Sequence, residues 1–312
     1  MSSVLPPIPP RPDLAPGEAA HWHVVAPGRM SATAVVGAGL KLWSEHWVRW
    51  GLVTLLFSGI TSVVVAALDP WAATYSASWA DRPPSLPEAN PLAVIISLVG
   101  GLFLGPWLSV ILAKASLEAS LGEADDRSLV GRTIRGVLSV LWILFLLVVC
   151  ALVVAIPVVI LVVSTRNADA DAQEAAVGIF VLLFLGLLLW IAPRLLILLH
   201  VFVGEDRRGT KAITETWRRS RGAWGTALGV LLLNILIVIG VGLIPGIIAE
   251  AAFSLPTVED AVPRAILYAF VSAIITPIGV AIGAALYLEL SARRGLLDHV
   301  SLRRNLARFD AA

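Results

Sequence analysis

Six long apolar runs, at approximately 47–68, 92–116, 137–163, 177–203, 225–249 and 265–288, constrain this chain more than any other feature. A helix needs roughly 20 apolar residues to cross ~30 Å of hydrocarbon. A core helix or strand of a soluble domain needs fewer in a row. An open strand in lipid would leave its backbone groups unpaired, so each run is expected to be helical. Composition agrees: the 312 residues are 58% hydrophobic and 14% charged, against about 45–50% and about 25% in soluble domains. Mean hydropathy is +0.86.

Charge alternates along the connections. Segments 1–46, 117–136, 204–224 and 289–312, with Arg49 and Lys114 at their edges, hold 19 of the 23 Lys and Arg. Segments 69–91, 164–176 and 250–264 hold only Arg82, Arg166 and Arg264, and Arg194 lies inside the fourth run. Cytoplasmic loops collect Lys and Arg, so both termini are expected in the cytoplasm. The expected location is a bacterial inner (plasma) membrane, in keeping with an Arg-rich, Lys-poor composition. Tryptophans mark the same boundaries, since their rings favour the headgroup level. Trp43, Trp47 and Trp50 flank the first run, and Trp217 and Trp224 precede the fifth, while Trp107 and Trp190 are expected to pack between helices. Residues 1–30 read as a flexible, Pro-rich cytoplasmic tail without the pattern of a signal peptide. Residues 31–298 read as a six-helix membrane domain and residues 299–312 as a basic cytoplasmic tail.

Each basic segment before an odd-numbered run carries an apolar stripe at helical spacing. The stripes are Val36, Leu40, Trp43, Trp47; then Val130, Ile134, Val137, Leu141; then Ile213, Trp217, Ser220, Trp224. Short helices of this kind lie in the headgroup zone. The expected fold is therefore all-α: a polytopic helical membrane protein with six transmembrane helices, three short cytoplasmic amphipathic helices and a three-fold pseudo-repeat. Gly101-x-x-x-Gly105, Gly225-x-x-x-Gly229, Gly242-x-x-x-Gly246 and Gly279-x-x-x-Gly283 offer faces for close helix packing.

Catalytic signatures are missing from the sequence: there is no H-E-x-x-H, G-x-S-x-G, P-loop or G-x-G-x-x-G. The histidines, at 21, 23, 46, 200 and 299, are scattered, and His21 with His23 makes too few ligands for a metal. Cys150 is the lone cysteine, within an apolar run, and a net charge of +1 gives no basic excess for nucleic acid. No catalytic residue, metal or cofactor is expected; the expected partner is the lipid bilayer, anionic lipids included. Acids are nearly lacking inside the runs, with Glu250 and Glu289 close to the ends, which weighs against an ion-coupled transporter. Asn234 is expected to bond a neighbouring helix, and Thr276-Pro277 to relieve a kink.

"LLLWIAPRLLILLH", residues 187–200, places Pro193-Arg194 inside the fourth run. If the helix continues to Val203, Arg194 lies about 13 Å from its inner end at 1.5 Å per residue. A charge there costs roughly 2.5–3.5 kcal/mol on insertion scales and needs a partner. The carbonyl of Leu189, left without a donor by Pro193, is one acceptor; other backbone carbonyls and a lipid phosphate are alternatives. A second reading ends the span near Leu195 and puts Arg194 among the inner headgroups.

Three stretches together resemble the bacterial glycerophosphoryl diester phosphodiesterase membrane-domain family. They are "GRMSATAVVGAGLKLWSEHW" (28–47), "PRLLILLHVFVGEDRRGTKAITETWRRSRGAWG" (193–225) and "LYLELSARRGLLD" (286–298). In the second, Arg194, Glu205, Ala212, Trp217, Arg221 and Gly222 fall where the family shows an arginine, a glutamate and an Ala-Leu…Ser-Trp…Arg-Gly run. Ala34, Val36 and Gly37 stand where the family often has acids, and Glu289 where Asp is usual. The resemblance implies an integral membrane protein; Arg194, Glu205, Trp217 and Arg221, together with Pro193 from the fourth run, are the candidate structural or anion-contacting residues. It implies no phosphodiesterase activity, because that needs a TIM barrel of ~250 residues and the longest stretch outside the runs is 1–46. The expected function is non-enzymatic, as a scaffold or accessory component at the cytoplasmic leaflet. The alternative is a transporter or lipid-handling protein with an anion site near Arg194.

Overall fold

Capping residues open the first two helices where the sequence changes character. Ser31 accepts a hydrogen bond from the Ala34 amide at 3.2 Å, and Asn90 accepts one from Leu92 with Pro91 at the first helical position, both standard N-terminal chemistry. The computed structural model describes residues 30–69, 90–122, 141, 170–205, 207, 209–252, 258–295 and 299–311. Among them every regular element is helical: α1 (Ala32–Leu68), α2 (Pro91–Ser120), α3 (Ala170–Leu195), α4 (Leu198–Glu205), α5 (Thr210–Ser220), α6 (Trp224–Ala252), α7 (Val258–Arg293) and α8 (His299–Ala311). The expected third run and the amphipathic stretch before it lie outside the described residues, Leu141 apart.

Five stretches are long and apolar enough to cross a membrane: Ala32–Leu68, Pro91–Ser120, Phe184–Glu205, Trp224–Leu243 and Ala261–Arg293. The outward face of α1 shows what they expose. Val48, Leu52, Leu56, Ile60 and Val64 recur every fourth residue and are all exposed, one continuous apolar stripe. Opposite them, Trp50, Gly51, Thr54, Gly59, Val65 and Ala66 are buried.

α7 is the hub, touching α1, α2, α4, α5 and α6. Residues 281–291 are buried without interruption, as expected for a helix enclosed on all sides. It approaches α1 closely, where a Cβ on Gly39 would lie 2.6 Å from the Cα of Ile282. Only glycine leaves room for that contact. α1 and α2 each contain a π-helical turn, Leu55–Gly59 and Gly100–Leu104, and the two turns face each other. Asn234 lies against Gly279 across the α6–α7 contact, with both side-chain ends 3.9 Å from where a Cβ would stand. Gly283 admits the His200 ring, whereas Gly101 and Gly225 face open space.

Three expectations change. The first amphipathic segment is not a separate interfacial helix; it runs directly into the first span as one helix of 37 residues. At 1.5 Å per residue that is about 55 Å, well beyond ~30 Å of hydrocarbon, and exposed large apolar residues start only at Trp47. Its buried face is Val35, Val36, Gly39 and Leu42 rather than the stripe ending in Trp47, which is exposed, because α7 approaches from that side.

The fourth run is broken. α3 stops at Leu195, a turn occupies 196–197, and α4 begins at Leu198. Pro193 lies in the last turn of α3, where its missing N–H and its ring weaken the ladder.

Trp190 is not enclosed between helices. It is 47% exposed near the end of α3, with its ring edge-on to Trp217 at 5.0 Å. α8 packs on α4 through Leu302, Leu306 and Phe309, with Phe309 edge-on to Phe202 at 5.6 Å.

Candidate functional site

α4, α5 and the last turns of α7 meet at the end of the bundle that holds the start of α1. The helix that makes this junction polar is α5. Its buried residues are Ala212, Glu215, Thr216, Arg219 and Ser220, a face offset from the expected apolar stripe Ile213, Trp217, Ser220, Trp224. The sequence permits this because Glu215 and Arg219 are one helical turn apart and pair within the helix.

Arg219 is the centre, with a side chain only 3% exposed. Its Nη2 lies 2.6 Å from Glu205 Oε1 at the end of α4. Its Nε approaches Glu215 Oε1 to 3.2 Å without aligning for a hydrogen bond. Its Nη1 donates to Ser291 Oγ, and its guanidinium stands 5.4 Å from the Tyr287 ring centroid. Tyr287 donates its hydroxyl to Glu205 Oε1 at 3.3 Å, and Ser291 donates to the Tyr287 carbonyl at 2.6 Å. A buried cation is thus held by two carboxylates, a hydroxyl and an aromatic face, as a desolvated charge requires.

A second ion pair clasps the entry to α1. Arg293 Nε lies 2.6 Å from Glu289 Oε1. The same Glu289 oxygen accepts from the Met30 amide at 2.8 Å, while Arg293 donates to the Met30 carbonyl at 2.6 Å. Both main-chain groups of Met30 are therefore held by side chains from the far end of the chain. Beside the Arg219 network, His200 is buried against Gly283 and stacks on Tyr287 at 6.3 Å, with neither ring nitrogen in an aligned hydrogen bond.

At the edge of the junction Arg194 is stacked between two indoles. Its guanidinium carbon is 4.3 Å from the Trp190 centroid and 4.2 Å from that of Trp217. Nη1 donates to the Trp190 carbonyl at 3.1 Å, so the acceptor is one residue beyond the Leu189 oxygen that the sequence nominated. Arg218 and Arg294 lie outside the buried core. Arg218, 57% exposed, pairs with Glu215 at 2.7 Å, and Arg294 donates to the Arg221 carbonyl. Partial burial, then the nearby guanidiniums of Arg218, Arg219 and Arg221, hold Arg294 below the usual arginine range.

Of the residues singled out in sequence, Glu205 joins the buried network, Arg194 and Trp217 meet in the stack, and Arg221 contributes its carbonyl to Arg294. Pro193 is buried within the last turn of α3. The described residues of the stretches 28–47, 193–225 and 286–298, separate in sequence, come together at this one junction. Sequence reasoning passed over Glu215, Arg219, Tyr287, Ser291 and the Glu289–Arg293 clasp. The Glu-x-x-x-Arg spacing in both α5 and α7 was the signal available. No group of three or more His, Cys, Asp and Glu suited to a metal occurs among the described residues. No family model, curated protein or solved structure matches the chain.

Proposed function

We propose that this is a non-enzymatic integral membrane protein of six spans with a three-fold repeat and both termini cytoplasmic. It serves as a scaffold or accessory component at the inner leaflet. The observation that carries this reading is the Arg219 network, whose charges are committed to one another: the cation is surrounded by Glu205, Glu215, Ser291 and Tyr287. Such a site stabilises an arrangement of helices rather than presenting a group poised to react. The resemblance of the three junction-forming stretches to the membrane-domain family supports the same reading.

Two experiments test it. Single-cysteine labelling, after replacing Cys150, should reach Ser76, Asp169 and Asp260 from outside intact cells and leave Ser3 and Ala312 unmodified; the reverse pattern overturns the topology. Purified protein in proteoliposomes should neither move lipid between leaflets nor take up organic anions, and in native membranes it should run as a larger complex. Protein-dependent flux overturns the scaffold reading. It would favour the alternative, a lipid-handling protein or transporter, for which Arg194 speaks: its Nε is buried and unpartnered between the two tryptophans.

A further inference from the structure

Among the described residues, the junction contains more positive charge than it pairs with acids. Arg218 and Arg219 are answered by Glu205 and Glu215, and Arg293 by Glu289. Arg221 and Arg294 form no ion pair with an acid among the described residues, although Glu215 is near enough to act on Arg294, and both are exposed. They are nevertheless held together. Arg221 follows the last residue of α5 and Arg294 the last residue of α7, each preceding a glycine of positive φ, Gly222 at 83° and Gly295 at 60°. Glycine in this conformation closes helix C-termini, so both chains turn away directly after the arginine. Arg294 then bridges the two ends by donating to the Arg221 carbonyl.

Their level relative to lipid follows from the neighbours. Apolar α6 begins at Trp224, three residues beyond Arg221. Trp217, one turn before Arg221, packs on Trp190, where the exposed apolar surface of α3 ends. Indole rings of this kind favour the headgroup zone.

We propose that Arg221 and Arg294 form a binding site for a phosphate-bearing anion at the headgroup level, occupied by the phosphodiester of an anionic lipid. Two adjacent guanidiniums can each offer a planar fork to phosphate oxygens. The bound anion relieves the mutual repulsion of Arg218, Arg219, Arg221 and Arg294, which Glu215 offsets only in part. The inference rests on the membrane reading and gives a chemical class to the lipid contact in the proposed function. Lipid flux in the liposome assay would overturn the scaffold role and leave this site intact.

Arg221→Gln is the informative variant, because the contact from Arg294 uses the main-chain carbonyl of Arg221 and survives the change. Full-length protein in a neutral detergent is titrated with phosphatidylglycerol, phosphatidylcholine or inorganic phosphate, and thermal stability is followed. Arg308→Gln, on the exposed side of α8, controls for loss of one positive charge elsewhere. Phosphatidylglycerol should stabilise the wild type with an apparent affinity about tenfold better than for Arg221→Gln. Arg308→Gln should behave as wild type and phosphatidylcholine should do little. The same variant pattern with inorganic phosphate would assign the site to a soluble phosphate compound instead of a lipid. Equal losses in both variants, or none in Arg221→Gln, would overturn the site.

Discussion

Removing the cation at the centre of the junction should cost far more than removing its exposed neighbour. In Arg219→Met the carboxylates of Glu205 and Glu215, 10% and 11% exposed, lose their common partner, and Ser291 and Tyr287 lose theirs. Breaking a buried ion pair from one side typically costs about 3–5 kcal/mol, because an uncompensated charge stays behind. At roughly 2–4 °C per kcal/mol this lowers Tm on the order of 10 °C. Arg218→Gln removes a guanidinium that contacts the same Glu215 oxygen but is 57% exposed. A pair so open to solvent is worth under about 1 kcal/mol. The assay is thermal unfolding of detergent-solubilised protein, monitored by loss of the monodisperse peak. Adding Glu205→Gln to Arg219→Met should recover about 1–2 kcal/mol, since one orphaned charge is removed. If Arg219→Met and Arg218→Gln shift Tm equally, burial does not set the worth of these pairs and the reasoning fails.

Three further tests probe other contacts. Arg194→Leu should lower stability by about 1–2 kcal/mol through loss of two cation–π contacts, although it removes a charge from an apolar run; unchanged or higher stability would exclude structural pairing. Gly39→Ala should cost about 1–3 kcal/mol by overpacking against the Ile282 backbone. Gly37→Ala, with nothing within 4 Å of the added methyl, should gain up to about 1 kcal/mol from helix propensity, and paired Tm measurements decide both. Stringently purified protein should not hydrolyse glycerophosphodiesters with any divalent metal, and persistent metal-dependent turnover would refute that expectation.

Helices were legible in the sequence because lipid exposure writes a simple rule, apolar for about 20 residues in a row. The runs 47–68, 92–116, 225–249 and 265–288 each lie inside one observed helix, and 177–203 is helical except at its turn. The helix ends and the identity of the buried faces were not legible. Val36 and Trp47 look equivalent on a helical wheel, yet only the first is covered, because the position of α7 decides. α5 misled more deeply: its apolar stripe predicted an interfacial helix, while the structure buries Glu215 and Arg219. That inversion depends on Glu205 and Ser291, the latter 72 residues away from Arg219, and no local spacing announces a distant carboxylate. Arg194 shows the middle case. Its need for a partner was visible, and which rings would supply it was not.

The Met30 clasp has a consequence for biosynthesis. The residues that hold its amide and carbonyl are 259 and 263 positions further along the chain, and the face of α1 that needs Gly39 to be small is covered by the same late helix. At roughly 5–20 residues per second, a ribosome takes on the order of 10–50 s to deliver α7 after α1 has emerged. During that interval α1 lacks its principal neighbour, and its covered face, including Trp50 and Thr54, is open to lipid or to other proteins. A nascent chain arrested before α7 would stay in that state, with α1 still waiting to be enclosed, and would be a natural substrate for membrane quality control.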